Sequence, residues 1–430
     1  MLEFLGLRSL DELFESIPAA LRLAAGLDLP DGLAEPDVLA EMGRLGRAND
    51  AAADRLVCFA GGGAYDHDIP SVVRAVGMRS EFVTAYTPYQ PEVAQGVLQA
   101  LFEYQTLLAR LTGMEVANAS LYDGASACVE ATNLAVAASG RSGVWVSSGV
   151  HPHWRAVLRT FAAGTGHDLI DVPLENGITR WPDETSSPTP GAVLVQYPNH
   201  LGCLDDVEAA AAAARRTGAL LLVAFDPVAA GVLRSPGAYA ADVVVGEGQP
   251  FGTPLSFGGP YLGLFACRLE HVRRLPGRLV GETVDVEGRR AYVTTLRTRE
   301  QDIRRERASS NVCTNQTLIA VAFAIQLAWL GTAGLRELAL RCARGTRYTR
   351  DALLAIDRVE PLVDAPVLRE FAVRTPLAPE TLVDRMAEAG FLAGSVLDRE
   401  YGDGLLVAVT EKRTREEIDA YVDAFGKAVR

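Results

Sequence analysis

The chain has 430 residues, 49% of them apolar, and a formal charge of −13 at pH 7. That length supports a large core and two or three domains, and the composition excludes a disordered chain. The acidic balance excludes the basic footprint of a nucleic-acid or anionic-membrane binder, so small molecules and proteins are the expected partners.

Residues 1–57 read as a helical N-terminal arm, with Ser9 as an N-cap ahead of an apolar Leu10, Leu13, Ile17 face. The acidic start lacks the basic region of a signal peptide, and no apolar run is expected to reach membrane-spanning length. Six cysteines (58, 128, 203, 267, 313, 342) lack CxxC spacing, which suits reduced thiols in a cytoplasmic protein and argues against a metal site.

Residues 58–330 read as a large α/β domain. It opens with a glycine cluster followed by Tyr65, Asp66, His67 and Asp68, expected as an exposed turn. Next, TAYTPYQPE (84–92) fixes Tyr86, Thr87, Tyr89, Gln90 and Glu92 around two prolines, with Pro91 at the first position of a long patterned helix. Such a rigid aromatic and amide loop either lines a binding site or forms a structural corner. Asp123 is a helix cap, and small residues at Gly124, Ala125 and Ser126 either leave amides free for an anion or allow close packing.

Strand-like runs at 143–147, 168–172, 192–196, 220–225 and 243–246 alternate with helical stretches, notably 155–163 and 207–216. Repeated βα units with continuous apolar strands predict a mostly parallel sheet covered on both faces, its site beyond the carboxyl ends of the strands. Asp226 and the loop around Gln249, Gly258 and Gly259 fall there. Gly246-Glu247-Gly248 has no helix after it and is no dinucleotide fingerprint. His151 and His153 are expected as surface or capping histidines.

Beyond the loop, Arg304, Arg305 and Arg307 form a solvated face or, with Asn311, Thr314 and Asn315, an inter-domain or subunit contact. Apolar helices over 318–330 and 335–356 lead into residues 331–430, a small α+β domain with strands at 368–374 and 405–409 and helices at 379–389 and 415–427. It holds the chain's two lysines, Lys412 and Lys427.

A large parallel-sheet domain, a small α+β domain, and an aspartate followed two dozen residues later by a glycine-rich loop together resemble fold-type I pyridoxal-phosphate-dependent transferases, the aspartate aminotransferase-like fold. The motifs AYDHDIP, SEFVTAYTPYQPEVAQG, LTGMEVANASLYDGA, VVVGEGQPFGTPLSFGGPYLG and IRRERASSNVCTNQ are similar to the P-protein family of the glycine cleavage system, the aminomethyl-transferring glycine dehydrogenases. The likeness is to alpha chains of the two-subunit form.

The resemblance implies a paired role. The beta-chain motif HKTFxxPHGGGGPGxG lies over this sequence without a gap, and Gln249 stands where its Schiff-base lysine would be. Phe251, Pro254, Gly258, Gly259, Pro260 and Gly263 match the motif, and Asp226 matches the aspartate that faces the pyridine nitrogen. Arginine and glutamine cannot form that Schiff base. Pyridoxal phosphate is therefore expected in a homologous beta subunit, in an α2β2 heterotetramer acting on glycine with the lipoyl group of H-protein as co-substrate. Tyr86, Thr87, Tyr89, Gln90, Glu92 and His67 are the candidates for the shared site; Asp226, Gly124, Ser126, Gly258 and Gly259 would be remnants of a cofactor loop. Departures are Arg307 in place of a lysine and Asp68 in place of an aromatic. A repurposed scaffold, or a subunit of a decarboxylase for another amino acid, is the alternative.

Overall fold

The computed structural model describes residues 1–23, 26–49, 55–83, 87–182 and 189–430. It forms two compact units, Met1–Asp54 and Arg55–Arg430.

In the first unit, a helical turn at Leu2–Leu5 precedes helix α1 (Glu35–Arg47), and none of these residues is buried. Ser9 caps nothing: a 3-10 turn at Asp11–Phe14 starts from Leu10 without a side-chain cap. Glu12 is instead bonded to Arg8 at 3.3 Å, an i,i+4 pair of the kind that adds a few tenths of a kcal/mol.

The second unit is built on a seven-stranded sheet. Its strands are β1 (Val116–Ala117), β2 (Gly143–Ser147), β3 (Asp168–Val172), β4 (Pro190–Tyr197), β5 (Leu220–Phe225), β6 (Val243–Glu247) and β7 (Gly263–Cys267). They lie in the order β1-β7-β6-β5-β4-β2-β3, parallel from β3 through β6, with β7 antiparallel to both neighbours. Alternate side chains supply two cores. Val193, Val195, Val223 and Val244 face one layer with Leu98, Leu101 and Phe323. Ala192, Leu194, Leu222 and Val245 face the other with Cys128, Leu134 and Leu158. The apolar continuity of each strand is thus the sum of two buried faces.

Helix α2 (Ser71–Gly77) precedes α3 (Gln95–Thr112), the predicted patterned helix. Pro91 is not its first residue: it opens a separate 3-10 turn, Pro91–Val93, and Ala94 at φ −127° breaks the helical path. Gln95 holds the break by donating to Pro91 O at 2.7 Å and Tyr292 O at 2.8 Å. Helices α4 (Gly124–Ser139), α5 (Pro152–Thr165) and α6 (Val207–Thr217) follow, each with a side-chain cap, from Asp123, His151 and Asp206.

A hairpin of β8 (Leu279–Val284) and β9 (Arg290–Thr295) leads to α7 (Thr317–Leu354), in which the two predicted helices run together across a kink at Gly331. Contrary to the sequence expectation, α7 is long and apolar enough by length and composition to cross a membrane. Part of its apolar surface is used internally: Phe323 meets Tyr104 and Phe251 edge-on, each at 5.5 Å, and Ala320, Leu338 and Cys342 join the same core, whereas Leu318 and Trp329 are exposed.

The chain ends in a four-stranded sheet, β10 (Glu360–Pro361), β11 (Glu370–Arg374), β12 (Ser395–Val396) and β13 (Leu405–Ala408), in the order β10-β11-β13-β12. Helices α8 (Pro379–Glu388) and α9 (Arg415–Ala428) cover it through Leu382, Met386, Ile418, Tyr421 and Phe425.

Candidate functional site

The carboxyl ends of β4, β5 and β6 meet the start of β11 around a cavity of about 50 Å³ lined by Tyr65, His151, Gln196, Asp226, Glu247, Arg369 and Glu370. Asp226 emerges from β5, and its Oδ2 lies 2.7 Å from Nη2 of Arg369, a residue only 4% exposed. Arg369 continues the chain of contacts. Its Nη1 is 2.5 Å from Nε2 of His67, whose Nδ1 is 2.6 Å from Glu411 Oε2. An arginine has no proton acceptor, so Nε2 of His67 accepts and Nδ1 carries the proton toward Glu411. Asp226, Arg369, His67 and Glu411 therefore form one buried line that joins the seven-stranded sheet to the four-stranded one.

His67 is thus not part of an exposed turn. The glycine-rich strap preceding it is tied to the four-stranded sheet and the segment after it: Gly62 N and Tyr65 OH donate to the carboxylate of Glu370 at 2.6 and 2.7 Å, and Asp66 pairs with Lys412 at 2.7 Å. The Arg369 guanidinium lies 3.5 Å from the Tyr65 ring centroid. Burial, then the neighbouring Glu370 carboxylate, pushes the Tyr65 phenol well above its ordinary range. Glu411 goes the other way: burial would raise it, but the His67 hydrogen bond and the Asp68 amide bring it down to about 2. Cys342 lies near enough to form a His67, Cys342, Glu411 trio, but both ring nitrogens of His67 are already engaged.

Gln249 is fully buried at the end of β6. Its Oε1 accepts from Tyr65 N at 2.9 Å, and its Nε2 donates to Tyr65 O at 3.0 Å and Thr253 O at 2.8 Å. Two residues earlier, Glu247 takes three backbone amides, from Gly124, Gln249 and Leu262, at 2.8–3.0 Å. Burial nevertheless raises this carboxyl to about 7. Gly124 and Ser126 sit at the start of α4, as placed from sequence, but the Gly124 amide is held by Glu247 and the Ser126 amide by Asp123 at 2.7 Å. Gly258 and Gly259 have φ of +112° and +138° and lie near an outer depression of about 600 Å³ lined by Ser126, His153 and Trp154 among others. Only Gly258 of the pair lines it.

These residues do not fit covalently held pyridoxal phosphate. The cavity beside Asp226 has room for a few waters at roughly 10–15 Å³ each, against roughly 300–1,000 Å³ for ligand pockets. Neither lysine lines it: Lys412 is paired with Asp66, and Lys427 with Asp423 on an exposed stretch of α9.

The other predicted residues cluster elsewhere on the second unit. Tyr86 lies outside the described residues. Thr87 is half-buried, with a hydroxyl that has no hydrogen-bond partner, and Tyr89, Gln90 and Glu92 are exposed. Tyr89 lies under Arg278 and Arg297, at 5.0 and 6.0 Å from its ring centroid. Arg278, which sequence reading passed over, also donates to Asn315 Oδ1 at 3.2 Å and Cys313 O at 3.3 Å. Asn315 donates in turn to Ala119 O, and Thr314 N lies 3.5 Å from the Tyr122 hydroxyl. Arg304, Arg305 and Asn311 are exposed. Arg305 has a positive φ of 54°, and so does Leu296 at 53°, an uncommon strain for such side chains that concentrates at functional segments.

Arg369, Glu370 and Glu247 were also missed. The available signal was charge at strand ends: an Arg-Glu pair opening an apolar strand, and one carboxylate closing Val243–Val245.

Comparison with known proteins places this geometry among relatives. The model of the glycine cleavage system P-protein family matches residues 1–425. A probable glycine dehydrogenase (decarboxylating) subunit 1 of Desulforamulus reducens is 45% identical over 431 residues, covering 99% of this chain and 96% of the relative. A crystal structure of glycine decarboxylase (P-protein) of the glycine cleavage system, in inhibitor-bound form, superposes with a TM-score of 0.94 at 47% identity, covering 100% of this chain and 97% of the other. A sphingosine-1-phosphate lyase of Burkholderia pseudomallei, with a TM-score of 0.62 at 17% identity over 96% and 94% of the two chains, shares the fold alone. That fold is the fold-type I pyridoxal-phosphate architecture.

Proposed function

Since the chain belongs to the glycine cleavage system P-protein family, we propose that it is the subunit of a glycine decarboxylase that lacks the Schiff-base lysine and acts only with a homologous, cofactor-bearing beta subunit. The observation that carries this reading is Gln249, buried at the position of the Schiff-base lysine and bonded to Tyr65 and Thr253. The partner's pyridoxal phosphate would supply the electron sink for loss of CO2 from glycine, and the aminomethyl group would pass to the lipoyl arm of H-protein.

This chain's own contribution is a wall of the shared site. Tyr89, Gln90 and Glu92 offer phenol, amide and carboxylate groups on the surface beside the half-buried Thr87, and Arg278 holds Tyr89 in place; Tyr86 belongs to the same proposed set. His67, buried in the line from Asp226 to Glu411, keeps the strap in position without meeting substrate. Arg304, Arg305, Asn311, Thr314 and Asn315 belong to the segment that would meet the beta subunit in an α2β2 assembly. The six cysteines are free thiols, five of them buried, which agrees with the reducing cytoplasm as the compartment.

The test is reconstitution. Purified chain, beta subunit, lipoylated H-protein and pyridoxal phosphate should release CO2 from glycine, and omitting this chain should abolish the release. Full activity from the beta subunit without it would refute the proposal.

A further inference from the structure

The loss of one lysine does not account for what surrounds Asp226. We propose that the ancestral cradle is now occupied by the chain's own side chains, so that pyridoxal phosphate is excluded by filling as well as by the missing amine. Three positions carry the inference.

At the base, the charge of Asp226 is taken by Arg369 at 2.7 Å. A second cation at that carboxylate would face a buried guanidinium already in place. In the middle, the Tyr65 ring and the Arg369 guanidinium stack at 3.5 Å, and Gln249 clamps the Tyr65 backbone from both sides. At the helix end, the Gly124 amide is held by Glu247 Oε2 at 3.0 Å, so an internal carboxylate already uses the favourable anion position at the start of α4. The outer depression by Gly258 stays open, but it has neither Asp226 nor residue 249 in its wall.

Restoring the lysine alone should therefore not restore cofactor attachment. The full-length chain is prepared as wild type, as Gln249→Lys, and as two double variants that add Arg369→Ala or Tyr65→Ala to Gln249→Lys. Each is incubated with pyridoxal phosphate and then with borohydride. Attachment joins the ε-nitrogen to the aldehyde carbon with loss of water, and borohydride supplies the hydride that fixes the C–N bond. Peptide mass mapping reads the label at residue 249 separately from Lys412, Lys427 and the amino terminus, and circular dichroism confirms folding.

The expected result is a trace of label at residue 249 in the Gln249→Lys chain and at least tenfold more in a folded double variant. Half-stoichiometric label or more at residue 249 in Gln249→Lys alone would overturn the proposal. So would folded double variants no better labelled than the single. The single variant decides even if neither double folds, and none of these readouts depends on decarboxylase activity.

Discussion

The guanidinium of Arg278 lies 5.0 Å from the ring centroid of Tyr89 and, with the same fork, donates to Asn315 at 3.2 Å. One largely buried arginine thus sets the position of an exposed aromatic and of a polar loop that are far apart in the chain. Arg278→Ala should leave the fold intact and free both. A cation–π contact of about 0.5–2 kcal/mol and hydrogen bonds of about 1 kcal/mol each imply a loss of roughly 10- to 100-fold in kcat/KM of the reconstituted decarboxylase. Arg278→Lys should recover part of it, since charge over the ring survives while the fork does not. Steady-state CO2 release is the measurement, and an unchanged kcat/KM for Arg278→Ala would remove Arg278 from the site.

The line Asp226, Arg369, His67, Glu411 makes a stability prediction. Arg369→Ala leaves Asp226 without its counter-charge and His67 Nε2 without its donor. Breaking a buried pair from one side costs about 3–5 kcal/mol, and denaturant unfolding should show a loss of that order. Replacing Arg369 and Asp226 together, by Met and Asn, should cost less than the sum of the single losses, because neither partner is then left charged and alone.

Two carboxylates bend the pH dependence in opposite directions. Glu247 is raised by burial to about 7 in the folded chain, from an ordinary 4.5 for a glutamate. The folded state therefore binds its proton more tightly, and its contribution, full below about pH 4.5, is lost as pH rises through about 7, on the order of 1–3 kcal/mol. Glu411 is lowered to about 2, so its contribution is present above about pH 4.5 and is lost as pH falls toward 2. In unfolding measured from pH 2 to 8, Glu247→Gln should flatten the slope between about 4.5 and 7, and Glu411→Gln should flatten the acid limb.

Gly202, in the turn after β4, packs against the main chain of Glu370 at the start of β11. At φ +80°, an added methyl would collide with the carbonyl oxygen of Glu370. Gly202→Ala combines a left-handed backbone with a clash against main chain, so it should cost more than about 2 kcal/mol. Gly140→Ala has a similar φ of +67° and open space around it, and should cost less. Their melting temperatures compare the two directly.

Much of the sheet was legible because its evidence is local. Buried strands such as Val243–Glu247 announce themselves as apolar runs, and loops after them lie at the carboxyl ends by construction. Asp226 and the loop that carries Gln249 are found beyond those ends. His67 was read as exposed because its partners, Arg369 and Glu411, follow it by more than 300 residues. Arg278 was passed over because one arginine among many carries no periodicity. The helix after Pro91 began later than expected because its start is fixed by a side-chain bond from Gln95 to the hairpin at Tyr292, which no local pattern encodes.

The salt bridge between Asp226 and Arg369 also bears on how such a chain can evolve. A codon change that returned lysine to position 249 would bring no selective benefit while the arginine stays, and losing the arginine first would unsettle the protein before any benefit arrived. On the proposed reading the two steps block each other, so a division of labour between paired chains would work as a ratchet: once such a subunit has closed its own cradle, its lineage would depend on the partner's.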